Sequence, residues 1–161
     1  MICNQCGHEH AIEEIELTFA RPDEVAKMDD LWRRLEVQED DDLCVVTSGR
    51  FFVRAVLPLQ VEAREQPYNI GIWVEIERKA FRTILDLWSD PRQADEPPIL
   101  ASIANLMPTL PDTMGLRATM RLTGPTTRPT VHLVSIDHPL FSEQSLGISA
   151  HRAHEYSSSC S

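Results

Sequence analysis

Apolar side chains recur along this chain with two periods, and the switches between them mark out its elements. Val25, Met28, Leu31, Trp32 and Leu35 are spaced as one helical face. Arg21-Pro22-Asp23-Glu24 opens that face with a proline suited to the first turn and two acids suited to the positive end of the helix dipole, while Arg33 and Arg34 lie near its negative end. The pattern predicts one helix over residues 22–35. Residues 43–59 then hold two β-rich runs flanking Thr47-Ser48-Gly49-Arg50, the length and the glycine expected of a hairpin. From residue 68 to 77 the period is two, with Ile70, Ile72, Val74 and Ile76 on one side and Gly71, Trp73, Glu75 and Glu77 on the other, which predicts a sheet with one wetter face. Phe81, Ile84, Leu85 and Trp88 return to helical spacing, and Asp90-Pro91 closes that helix.

The polar, proline-rich stretch 89–98 reads as an exposed loop. Leu116, Ala118, Met120 and Leu122 alternate as a strand, Thr123-Gly124-Pro125-Thr126 turns the chain, and residues 130–136 return as a hairpin partner. His138-Pro139 begins a short helical turn that Gly147 ends, and Ser149 caps a last helix carrying His151 and His154. The expected architecture is a single α+β domain over residues 1–156, mainly antiparallel sheet with helices packed on one face and a short N-terminal Cys-x-x-Cys knuckle, followed by a flexible tail at 157–161.

Composition narrows the function classes. With 161 residues, 42% of them apolar, the chain suffices for one core without disulfide staples. No apolar run approaches the ~20 residues of a membrane span, and Met1-Ile2-Cys3-Asn4-Gln5-Cys6 lacks the basic-then-apolar pattern of a signal peptide, so the cytoplasm is the expected compartment. The formal charge of −10, from 25 acidic against 15 basic residues, repels phosphate backbones and anionic membranes. Nucleic acid and membrane are therefore not expected as partners. A basic protein would be attracted, although solubility is the plainer use of such a charge.

Two cysteines three positions apart and then a glycine, Cys3-x-x-Cys6-Gly7, match the tight turn that wraps two sulfurs around one zinc, because glycine tolerates the left-handed geometry after the second cysteine. One such pair leaves a four-ligand site incomplete, so histidine or water must finish it. His8 and His10 are near in sequence, with His10 better placed to fold back; His151 and His154, spaced i, i+3 on the last helix, would instead staple the two chain ends. Two unrelated surface histidines are the commoner meaning of such a pair. A thioredoxin-type redox pair would follow a strand at a helix N-terminus, not open the chain. Cys44, inside Leu43-Cys44-Val45-Val46, reads as a small core residue.

A nucleophile elbow, a phosphate-binding glycine loop, a zinc-protease helix and paired catalytic carboxylates are all missing, and no catalytic residue is assigned. Asp137-His138 are adjacent, so their side chains diverge, and His138 before Pro139 reads as a turn cap. Glu39-Asp40-Asp41-Asp42 lacks the spacing of a calcium loop and reads as a solvated connector, with Asp40, Asp41 and Asp42 as a contact patch for a basic partner. Arg54 and Arg128 lie in or beside strands, where a guanidinium can hold a ligand carboxylate, though pairing with nearby acids is the commoner use.

The set Cys3-x-x-Cys6-Gly7-x-x-His10, Asp42-Leu43-Cys44, Phe51-Phe52-Val53-Arg54, Gly71-Ile72-Trp73-Val74, Pro108-x-x-Pro111-Asp112-Thr113, Arg128-Pro129 and His138-Pro139-Leu140 with Gln144 and Gly147-Ile148 resembles a bacterial domain-of-unknown-function family, number 2199 in that series, over nearly the whole length. The resemblance implies that Cys3, Cys6 and His10 belong to one motif, which strengthens a three-ligand zinc-type site and weakens the His151/His154 pair; on the residues alone the candidates for a fourth ligand are His8, His151 and His154. It implies no activity, and the chain departs from the pattern at Leu100-Ala101-Ser102-Ile103, where a Gly-Trp pair is expected. The leading expectation is a non-enzymatic binding or regulatory protein that neutralises a basic protein partner; small acidic immunity proteins are similar in size and charge, an analogy of composition alone. The alternative is a zinc-dependent hydrolase-type enzyme in which the Cys/Cys/His site keeps a water position open, with Glu9, Glu13 or Glu14 as the nearby base. A metal that only orders the N-terminus is the plainer reading of the same motif.

Overall fold

A computed structural model describes residues 15–159. The chain runs α1 (Asp23–Ala26), α2 (Asp30–Glu36), β1 (Val37–Glu39), β2 (Leu43–Val46), β3 (Arg50–Leu59), β4 (Tyr68–Ile76) and α3 (Arg78–Asp86). A 3-10 turn, Pro91–Asp95, then leads to β5 (Ile99–Ile103), β6 (Arg117–Arg121), β7 (Thr130–Leu133), α4 (Pro139–Leu146) and α5 (Ala150–Ser158). The two long strands organise the rest. β3 and β4 pair antiparallel from Phe51 opposite Ile76 to Leu59 opposite Tyr68, and their strict alternation sends Val53, Ala55, Leu57 and Leu59 to the same side as Ile70, Ile72, Val74 and Ile76.

Strands β1 to β7 are neighbours in chain order, and β3 also pairs with β7, parallel, at Val56 opposite Thr130. Strands β3 to β7 thus close into a barrel-like sheet of mixed direction, with β2 and β1 continuing from β3 as a flap. Closure removes most of the sheet edge that an open layer would leave. The helices do not share one face as expected from the sequence. Phe81 and Ile84 of α3, Leu140 of α4, and Ala153 and Tyr156 of α5 join the core with the inward strand residues, whereas Val25 of α1 packs on the outer surface with Cys44, Val46, Phe52, Trp73 and Ala104.

That outer cluster explains why the face of β4 expected to be wet is dry at Trp73, which is 1% exposed. Residues 17–19 cross β4 there, Gly71 N donating to Leu17 O and Phe19 N to Gly71 O, each at 2.9 Å. The Trp73 indole donates to Phe19 O at 2.9 Å. Buried Asn105 locks the segment down, its Oδ1 accepting from Trp73 N at 2.8 Å and its Nδ2 donating to Arg21 O and to Asp23 Oδ1, each at 2.9 Å.

The single helix expected over residues 22–35 is two. Asp29 is extended (φ −68, ψ 161) and its carboxylate accepts from Trp32 N at 2.8 Å, so it starts a new helix instead of continuing the old one. Val25 is fully buried, but α2 buries no residue. β5, unanticipated because it follows a proline-rich stretch, pairs Ala101 with Ala118 and Ile103 with Val74. No helix among the described residues is long and apolar enough to cross a membrane.

Candidate functional site

The ten residues of β3 outrun every partner on the edge opposite β4. β2 takes the first part, from Val46 opposite Arg50 to Leu43 opposite Val53, and β7 takes Val56. Between them the strands fork. Arg54 N still reaches Asp42 O at 2.9 Å and Val56 N reaches Pro129 O at 2.8 Å, so the Arg54 side chain, outward because Val53 and Ala55 point inward, stands at the fork.

Arg54 is only partly satisfied there. Its Nη2 donates to Thr18 Oγ1 at 2.8 Å and its Nη1 reaches Asp41 O at 3.4 Å, but its Nε is buried with no hydrogen-bond partner. Thr18 is delivered by the segment crossing Gly71, and a Cβ at Gly71 would run into the Thr18 side chain, so the crossing requires glycine. Burial, and next the positive charge of Arg128, lower the pKa of Arg54 from its ordinary value.

The fork opens into a cavity of about 820 Å³ bounded by Asp42, Arg54, Val56 and Asn69, by Trp88 and Gln93 beyond α3, and by the loop 122–130. Asn69 belongs there because it pairs with Pro58 and shares the outward side. The Thr123 hydroxyl donates to Arg128 O at 3.0 Å and shares a 2.6 Å hydrogen bond with the Thr127 hydroxyl, which fixes the loop that carries Arg128. Arg128 Nε donates to Asp42 Oδ1 at 3.2 Å. Two guanidinium groups and one carboxylate therefore line one concavity.

Of the residues singled out from sequence, Asp42, Arg54 and Arg128 meet at this fork. The acidic run is an ordered turn between β1 and β2: the Asp40 carboxylate accepts from Asp42 N at 2.8 Å and Leu43 N at 2.7 Å, and Glu39 takes both its oxygens to Arg21 Nε at 2.8 and 3.1 Å. Cys3, Cys6, His8, His10, Glu9, Glu13 and Glu14 lie outside the described residues. His151 and His154 are on α5, and among the described residues no group of three or more His, Cys, Asp or Glu side chains is disposed to hold a metal. His138 caps α4, its Nδ1 accepting from Leu140 N at 3.1 Å while Nε2 lies 3.2 Å from Pro111 O, so both ring nitrogens serve the fold.

One polar cluster had no signature in the sequence. Arg152 donates Nε to Glu143 Oε2 at 2.7 Å, Nη2 to Tyr156 Oη at 3.1 Å and Nη1 to Thr109 Oγ1 at 2.9 Å, and the Tyr156 hydroxyl donates to Glu143 at 2.8 Å. Burial, then the Glu143 carboxylate, push the Tyr156 phenol above its ordinary range. The cluster ties α4 to α5.

A second surface stands out on α2. Leu31, Trp32 and Leu35 are 68%, 53% and 65% exposed, and positions i, i+1 and i+4 fall within about 100° of a helix. Asp29, Asp30 and Glu36 bracket the patch. No curated protein and no solved structure matches the chain. A family model does, across residues 2–148, and the chain therefore belongs to the family described as "Uncharacterized protein conserved in bacteria (DUF2199)".

Proposed function

We propose that this chain is a non-enzymatic binding module that engages a basic protein partner through α2. The observation carrying this reading is that Leu31, Trp32 and Leu35 are all more than half exposed on a helix that buries none of its own residues. Apolar surface of this kind, rimmed by polar residues, is what interfaces use, and tryptophan is enriched among the residues that dominate binding energy. The net charge of −10 would steer a cationic partner toward the molecule, although α2 itself sets Arg33 and Arg34 beside Asp29, Asp30 and Glu36. Zinc at Cys3, Cys6 and His10 belongs to the same reading on spacing alone, in the role of ordering the N-terminus.

The test is affinity capture by the full chain from its host's lysate at low and high salt, with bound proteins identified by mass spectrometry. One basic protein, released by salt and lost from Trp32→Ala at an unchanged thermal midpoint, is the expected result, and the loss should be about 2 kcal/mol or more, roughly thirtyfold in affinity. A partner retained by Trp32→Ala and Leu35→Ser would sink the assignment to α2. Concentration-dependent dimerisation abolished by the same variants would assign α2 to self-association instead. Elemental analysis of untagged protein beside Cys3→Ser tests the metal: near-equimolar zinc lost with the cysteine supports it, and no zinc at any loading removes it.

A further inference from the structure

The cavity at the β3 fork is separate from α2 and plays no part in that reading. Its lining carries two guanidinium groups in an otherwise acidic protein. Arg54 and Arg128 face Asp42, which Arg128 engages through Nε alone, and the Asp41 carboxylate also acts on Arg54. Arg128 Nη1 and Nη2 make no hydrogen bond among the described residues, and Arg54 Nε has none either. Arg54 Nε is shut off from solvent, whereas Arg128, 43% exposed, keeps its outer donors open to an anion entering the cavity beside a second positive charge. The walls add shape: Trp88, 40% exposed, and Val56 and Leu122 supply apolar surface beside the charged end.

We infer that this cavity is a binding site for a small organic acid, with one carboxylate held by Arg54 and Arg128 and an apolar, preferably aromatic, body lying against Trp88, Val56 and Leu122. The guanidinium fork matches a carboxylate in two parallel hydrogen bonds. Asp42 sets the charge preference: its carboxylate, standing between the two guanidinium groups, disfavours dianionic phosphate relative to a monoanion.

The experiment follows the side-chain Nε–H signals of Arg54 and Arg128 and the Trp88 indole N–H by two-dimensional NMR of the full 15N-labelled chain. The probes are benzoate, neutral benzamide, acetate and inorganic phosphate. Benzoate is expected to shift all three signals saturably, acetate to bind more weakly, and benzamide to leave the arginines unmoved. Arg128→Gln, on an exposed loop, should raise the benzoate Kd about tenfold without moving the unfolding midpoint. Asp42→Asn should strengthen phosphate relative to benzoate. Arg54→Gln is the second variant, read only after its folding is checked by the dispersion of the spectrum. The inference fails if benzoate gives no saturable shift, if benzamide binds as well as benzoate, or if both arginine variants keep the wild-type Kd. Phosphate binding more tightly than benzoate to the unmodified chain overturns the ligand class, and acetate matching benzoate overturns the apolar wall.

Discussion

Gln144 does with its side chain what strand residues do with their backbone. Past Val56 and Thr130, β7 leaves β3, and the Gln144 amide fills the wedge: Oε1 accepts from Leu133 N at 2.8 Å, and Nε2 donates to Val131 O at 2.9 Å and toward Pro58 O at 3.4 Å. Pro58 sits where the edge has no strand opposite, so its missing N–H costs no ladder bond. Replacing Gln144 with Leu leaves the Leu133 donor without its acceptor and should cost about 1–3 kcal/mol, read as a lower urea midpoint at unchanged m-value. Cys44 makes a different residue-scale prediction. Burial pushes its thiol from 9.0 up to about 12, so the native thiol stays protonated at pH values where the unfolded chain ionises. Its stabilising contribution is present in full below 9.0 and is lost as pH rises toward about 12. At neutral pH an alkylating reagent should leave the Cys44 peptide unmodified in native protein and label it in urea; rapid native labelling would contradict its burial.

At the level of elements, the break at Asp29 decides what the chain exposes. A continuous helix would have placed Leu31 and Leu35 on the stripe begun by Val25, whereas the Asp29 cap reorients them outward. Asp29→Ala should therefore destabilise by about 1 kcal/mol with loss of helical signal; a stabilised variant would mean that the helices merge. The same element shows where sequence reading stops. The hairpin at Gly49, the alternation of β4, the Gly147 terminus and the Ser149 cap were legible because each is written in neighbouring residues. β1 and β5 were not, the first because three residues carry no period and the second because Pro97 and Pro98 precede it. The closure of β3 on β7 joins residues 56 and 130, a contact that leaves no local trace. Asp42, Arg54 and Arg128 were nameable one by one, but their meeting is a product of topology, and Trp88, spaced as part of a buried stripe, in fact lines the cavity.

For the molecule as a whole, β3 is the hub, paired along one edge with β4 and shared on the other between β2 and β7. Native-state hydrogen exchange should find the slowest amides in β3 and β4 and the fastest sheet amides in β1, which has a partner on one side only. Equal protection of β1 would mean that the flap opens only with the barrel. The division of the β3 edge also bears on synthesis. As the chain leaves the ribosome, β2, β3 and β4 emerge together, but Thr130 and Gln144, which later cover the far half of the β3 edge, arrive last. In that interval the open half would be a template for another nascent chain, and it carries a proline at Pro58, a residue type that blunts such pairing. The proline whose carbonyl Gln144 covers in the finished protein would thus first help to keep its own strand from joining a neighbour's.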